Sequence, residues 1–168
     1  MVEIIPYSDD REAEALALMM KCIREVKKRK FDPTYDKDML DLAAFYDIRE
    51  ESALFLAQNR RKEIVGTLGL KSEGIIDENK TGMLKRLYVQ PGFRGESWYP
   101  LLNAVTAHVK NNKFERIRFV TRARFGQAFR FIQAIAPRFG LKTADIQDGE
   151  ICTIDVKGTF AKTLATLM

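Results

Sequence analysis

Only two cysteines and one histidine stand among 168 residues. Cys22 and Cys152 lie far apart within apolar periodic segments, so they read as buried thiols. A disulfide, a thiolate metal site or a cysteine nucleophile each lack supporting context. His108 has no second histidine and no cysteine pair at ligand spacing, which argues against zinc or any other metal. A surface or boundary position is expected for it. No apolar run approaches the length of a membrane span, and the first residues lack the basic-then-apolar design of a signal peptide. The expectation is a cytoplasmic protein without a membrane partner. No internal repeat, low-complexity segment or linker interrupts the chain. One domain over residues 1–168 is expected, long enough to bury a real core.

What is present is ordinary for a soluble globular protein: 46% hydrophobic and 30% charged residues. The net charge of +5 suits an acidic ligand and is too small by itself to argue for nucleic acid.

Residues 2–7 read as a first strand, stopped by Pro6 and the cluster Ser8-Asp9-Asp10, where Ser8 or Asp9 can cap a helix. Leu16, Met19, Met20, Ile23 and Val26 recur at helical spacing and predict that helix over about 10–30. Its end, Lys27-Lys28-Arg29-Lys30, complements the helix dipole and reads as a solvated face. The segment Phe31-Asp32-Pro33-Thr34-Tyr35 breaks the helix, and a shorter one is expected over 36–45. Residues 53–57 and 64–70 form apolar runs around the turn at 59–62, an antiparallel hairpin. Gly66 and Gly69 inside the second run imply a bulge or close packing against the backbone. A polar loop over 72–81 leads to a strand over 83–89. Further on, 115–121 alternates, with Ile117 and Phe119 on one side and Arg116 and Arg118 on the other. A helix over 124–136, strands near 141–144 and 151–156, and a short helical tail after Gly158 complete the pattern.

The chain is organised around residues 83–109: a strand, a Pro-Gly turn, Arg94-Gly95, then an apolar helix. Such a basic turn offers free amides and the positive end of a helix dipole to a pyrophosphate. Pro100 must lie in the first turn if the helix is unkinked, which makes Ser97 an attractive N-cap. Leu87, Val89, Pro91, Phe93, Arg94 and Gly95 fall in step with motif A of the GNAT superfamily of N-acetyltransferases, and the segment resembles it. Ser97 and Tyr99 stand where that motif has small residues. The order β-α-α-β-β-β-α-β-α-β-β also resembles the GNAT fold: an α/β (α+β) domain with a mixed central sheet, helices on both faces and splayed parallel central strands.

The resemblance implies an acyl-CoA-dependent N-acyltransferase, most simply an acetyltransferase, with acetyl-CoA or another acyl-CoA and an amine as substrates and a homodimer as its assembly. Arg94 and the amides of Gly95, Glu96, Ser97, Trp98 and Tyr99 are the candidate pyrophosphate cradle. The backbone edge of Leu87, Tyr88 and Val89 would pair with the pantetheine arm. Phe31 and Tyr35 belong to the segment that forms part of the acceptor wall in the family, though either can simply seal the core, as can Tyr46. Among the arginines at 116, 118, 122, 124, 130 and 138, Arg122 and Arg124 sit at a strand–helix corner suited to the 3′-phosphate of coenzyme A, an acidic acceptor or RNA. The family's usual base position falls on Met83 and its tyrosine acid position on Ile132, so no catalytic residue is assigned. Glu73, Asp77 and Glu78 read as solvated loop carboxylates. The alternative is a non-catalytic or regulatory domain that keeps the fold and binds acyl-CoA weakly or not at all.

Overall fold

The computed structural model describes residues 1–25, 27–120 and 151–155. They fall into two units: Met1–Ser72 with Lys85–Asn112, and Glu73–Leu84 with the described residues from Lys113 onward.

In the first unit, β1 (Glu3–Pro6) pairs antiparallel with β2 (Ala53–Gln58), which pairs antiparallel with β3 (Ile64–Ile76), and β3 neighbours β4 (Asn79–Val89). One helix lies on each face. On α1 (Glu12–Glu25), Ala15, Leu18, Met19, Cys22 and Ile23 are buried at spacings of three and four. They form one cluster with Leu54, Leu56, Ile64 and Tyr88. The alternate residues of β2 face the other way, where Phe55 meets the ring of His108 on α3 (Arg94–Asn111). His108 is half-buried, and its Nε2 lies 2.8 Å from the carbonyl oxygen of Glu51.

Local departures have local causes. Ser8 is extended ahead of a short 3-10 turn, Asp9–Arg11, and its side chain makes no capping hydrogen bond. α1 ends at Glu25, short of the expected 30, and Lys28 adopts a left-handed φ of 52° that cannot continue it. In place of a helix over 36–45 there is a 3-10 turn, Lys37–Leu40, then α2 (Leu42–Phe45), capped by the Asp41 carboxylate accepting from the Ala44 amide. The register between β2 and β3 slips after Ala57, so that Gly66 and Ile64 face consecutive β2 residues and Val65 is the bulged residue.

Gly66 and Gly69 of β3 are closely packed. A Cβ on Gly66 would meet Ala57 and Leu101 at 3.2 Å and Val89 at 3.3 Å. One on Gly69 would meet the Tyr46 ring at 2.5 Å.

The second unit carries the ends of β3 and β4 and a turn between them. The expected loop over 72–81 is instead strand, turn and strand: Asp77 and Glu78 both have positive φ, as a two-residue type I′ hairpin requires. β4 pairs parallel with β5 (Arg116–Val120) through Thr81, Gly82 and Met83, and β5 pairs antiparallel with β6 (Ile151–Asp155). Ile117 and Phe119 are buried, as their alternation predicts. Arg118 pairs with Glu73 at 3.1 Å and Arg116 with Asp77 at 3.9 Å. Glu73, expected to be solvated, is thus half-buried and paired by β5, whereas Asp77 stays 85% exposed beside Arg116. The expected helix over 124–136, the strand near 141–144 and the tail, with Arg122, Arg124, Arg130, Ile132 and Arg138, lie outside the described residues.

Gly69→Ala is expected to lower stability by about 1–3 kcal/mol through overpacking against Tyr46. Urea unfolding checks this; an unchanged midpoint would mean that the ring can move aside.

Candidate functional site

The site is built on the far end of β4, the turn after it and the start of α3, all within the first unit. The parallel ladder closes at Met83 opposite Arg118, and β4 runs on to Val89. Leu87 is half-buried, and Tyr88 and Val89 are buried. Past Val89 the backbone is anchored by the Gln90 amide donating to the Val65 carbonyl at 2.9 Å.

Pro91 opens a 3-10 turn, Pro91–Phe93, that runs directly into α3. This corrects the expected cap. Phe93, not Ser97, precedes the helix, and among the described residues no side chain hydrogen-bonds to the amides of the first turn. Ser97 is a helical residue, fully buried, and its Oγ has no hydrogen-bond partner among the described residues. Burial removes it as a surface ligand for phosphate. Pro100 falls inside the helix and denies the Glu96 carbonyl its usual amide, so the first turn is set off from the rest of α3.

Arg94 is half-buried and pairs with no acid among the described residues; burial pushes its guanidinium below the usual range. An arginine still stays charged at neutral pH. The neighbouring acid, Glu96, pairs with the amino terminus of Met1 at 2.6 Å. Gly95 is exposed, and a Cβ there would meet nothing within 4 Å. Its backbone needs no glycine for φ, and the space beside it is open. Trp98 is half-buried and Tyr99 is 44% exposed. Phe31 packs against the core cluster, while Tyr35 is 74% exposed. Met83, where the motif resemblance sets the base, belongs to the second unit and is a half-buried strand residue without a proton to exchange.

A second cluster escaped the sequence reading. Arg86 of β4 is buried and has a φ of 58°, a left-handed conformation that costs a non-glycine residue roughly 1–2 kcal/mol. Its Nε donates to Asp38 at 2.7 Å and its second terminal nitrogen closes a bidentate pair with the same carboxylate. Its Nη1 donates to Asp36 at 3.0 Å and to the Tyr88 hydroxyl at 3.1 Å. Its carbonyl accepts from Thr67 Oγ1 at 2.7 Å. Asp36 also accepts two hydrogen bonds from Arg29, at 2.6 and 2.7 Å, and one from the Asp32 amide. The Tyr46 hydroxyl donates to Asp38 at 3.0 Å. The basic run at the end of α1 is therefore not simply solvated: Arg29 is drawn onto Asp36, and the Lys27 ammonium lies 4.8 Å from the Tyr88 ring centroid.

Burial opposes ionisation of both aspartates, but hydrogen bonds from Arg86, and at Asp36 from Arg29 and the Asp32 amide, hold both carboxyls below the usual range. Such saturated carboxylates are poor general bases. Burial raises the hydroxyl of Tyr46 well above the ordinary phenol range.

No family model and no curated protein matches the sequence. Solved structures do match the fold. A GNAT-family acetyltransferase from Staphylococcus aureus Mu50 superposes with a TM-score of 0.75 at 23% identity, over 94% of this chain and 100% of that one. An acetyltransferase from Streptococcus agalactiae 2603 gives 0.68 at 21%, over 79% and 80%. The PaiA N-acetyltransferase from Thermoplasma acidophilum, solved in complex with coenzyme A, gives 0.60 at 14%, over 80% and 87%. The chain has the fold of the GNAT N-acetyltransferases, an α+β fold around a mixed sheet.

Asp36 and Asp38 bind protons less tightly in the native state than in the unfolded chain, where an aspartate titrates near about 3.9. The stability they contribute is therefore complete above about pH 4 and is lost as pH falls below it towards their native values. Asp38→Asn is expected to cost about 3 kcal/mol at neutral pH and to flatten the acid limb of the stability curve. Urea unfolding at neutral and acidic pH checks both; an acid limb as steep as wild type would mean that this carboxylate is unpaired in solution.

Proposed function

We propose that this protein is an acyl-CoA-dependent N-acyltransferase, most simply an acetyltransferase, that moves an acyl group from coenzyme A to an amine. The observation that carries the reading is Arg94: a half-buried guanidinium with no acidic partner among the described residues, at the first residue of a helix whose first turn lacks a side-chain cap. Those amides and that charge fit a pyrophosphate. Reading residues 1–168 as one domain is supported by the match that spans 94% of this chain and 100% of a GNAT-family acetyltransferase.

On this reading Arg94, with the amides of Gly95 and Glu96, holds the pyrophosphate. The β4 edge at Leu87, Tyr88 and Val89 receives the pantetheine arm through main-chain groups. The acceptor amine attacks the thioester carbonyl, a backbone N–H stabilises the resulting oxyanion, and the C–S bond breaks to release the thiolate of coenzyme A. The amine's proton leaves through water and the thiolate is protonated in turn, for Met83 offers no base. Phe31 and Tyr35 are proposed as the acceptor side, Tyr35 through its exposed ring. A non-catalytic domain on the same fold is the second reading, favoured by Met83 and by the loss of the small residues at Ser97 and Tyr99.

Acetyl-CoA at ~100 times its dissociation constant is expected to stabilise the chain by about 2.7 kcal/mol, read as a melting shift, and Arg94→Glu is expected to abolish that shift. Gly95→Ala separates binding from folding. Within a helix it should leave stability equal or raise it by roughly 0.5–1 kcal/mol, while its methyl group weakens acetyl-CoA binding. No shift with any acyl-CoA would favour the non-catalytic reading.

A further inference from the structure

Arg86 occupies a backbone conformation that glycine adopts without cost, yet the chain places there a buried side chain hydrogen-bonded to Asp36, Asp38 and Tyr88. A buried cluster of two acids and an arginine is a weak source of net stability, because desolvation offsets most of the attraction. It is a strong source of specification. The guanidinium is fixed by Asp36 and Asp38, the carbonyl by Thr67, and the left-handed turn between them is determined from both ends. Lys85 registers the effect: its ammonium lies 5.7 Å from the Phe45 ring centroid, so two consecutive strand residues reach the same α1–β2 connection.

We infer that Arg86 is a positioning residue for acyl transfer: clamped by Asp36 and Asp38, it sets the backbone of the adjoining Leu87, Tyr88 and Val89 that receives the acyl-pantetheine arm. The inference rests on the acyltransferase reading above. It adds a coupling, since Asp36 directly follows Tyr35, the proposed acceptor contact, and Asp38 lies two residues further on. Ordering the acceptor-side connection and ordering the thioester edge are thereby one event.

The test compares acetyl-CoA with ADP, which carries the pyrophosphate and lacks the pantetheine arm, by calorimetry on the full chain. Arg86→Lys and Asp38→Asn should weaken acetyl-CoA about tenfold, the worth of one backbone hydrogen bond, and leave ADP unchanged. Arg94→Glu should weaken both. Tyr46→Phe, which removes only a hydroxyl from Asp38, should give a smaller loss of the same kind and serves where the charged variants do not fold. General destabilisation lowers the melting temperature without changing the ratio of the two affinities, so an unchanged ratio in these variants overturns the inference alone. Wild-type protein that binds neither ligand overturns the acyltransferase reading, and the inference with it.

Discussion

A guanidinium buried between two carboxylates organises the first unit. Arg86 reaches Asp36 and Asp38 across 50 and 48 residues of sequence, and each partner recruits another: Arg29 onto Asp36, the Tyr46 hydroxyl onto Asp38. The Tyr46 ring then fills the space that the missing side chain of Gly69 leaves on β3. One ionic cluster thus fixes the end of α1, the irregular connection after it, and two strands. Removing any single charge strands the others in a low-dielectric interior, where an unpaired ion costs several kcal/mol. The cluster tolerates no partial version of itself.

The glycines beside the core and those at the start of α3 differ in what surrounds them. Gly66 and Gly69 are required by neighbours that a methyl group would strike. Gly92 and Gly95 meet nothing within 4 Å, so folding alone gives no reason for them. The start of α3 has the same character. Among the described residues no side chain caps its first turn and none pairs with the buried Ser97 hydroxyl, and Pro100 separates that turn from the rest of the helix. Each feature costs stability, and together they lie beside Arg94, which has no acidic partner among the described residues.

Much of this architecture was legible because burial writes a period into the sequence. The three-and-four spacing of α1, the apolar runs of β2 and β3 and the alternation around Ile117 and Phe119 each mark one face against a core. Where no core is faced, the signal fades. The hairpin over 72–81 is strand on polar residues, turned by Asp77-Glu78 rather than by the Asn-Gly pair that would have announced it. Ser97 misled for another reason. Ser97 is a good capping residue, but Pro91 already begins the turn that feeds α3, so the cap position falls at Phe93, four residues earlier. The Arg86 cluster left no local trace at all. Aspartates at 36 and 38 read as residues of the helix expected over 36–45 until a strand about 50 positions away turns an arginine towards them.

The departures from the family's motif bear unequally on the proposed chemistry. Acyl transfer from a thioester asks for a fixed carbonyl, a donor to its developing oxyanion and a leaving group that departs easily, and a thiolate with a pKa near about 8.5 supplies the last unaided. Main-chain groups can meet the first two demands, and a strand edge carries no side-chain signature. Met83 in place of an acid therefore removes help with the amine's proton and leaves the rest of the path intact. In the proposed site, substitution at Arg94 would reach the anion, and substitution at Arg86 would reach the backbone itself. In a site built mostly from amides, the side chains that count are those that hold the amides in place.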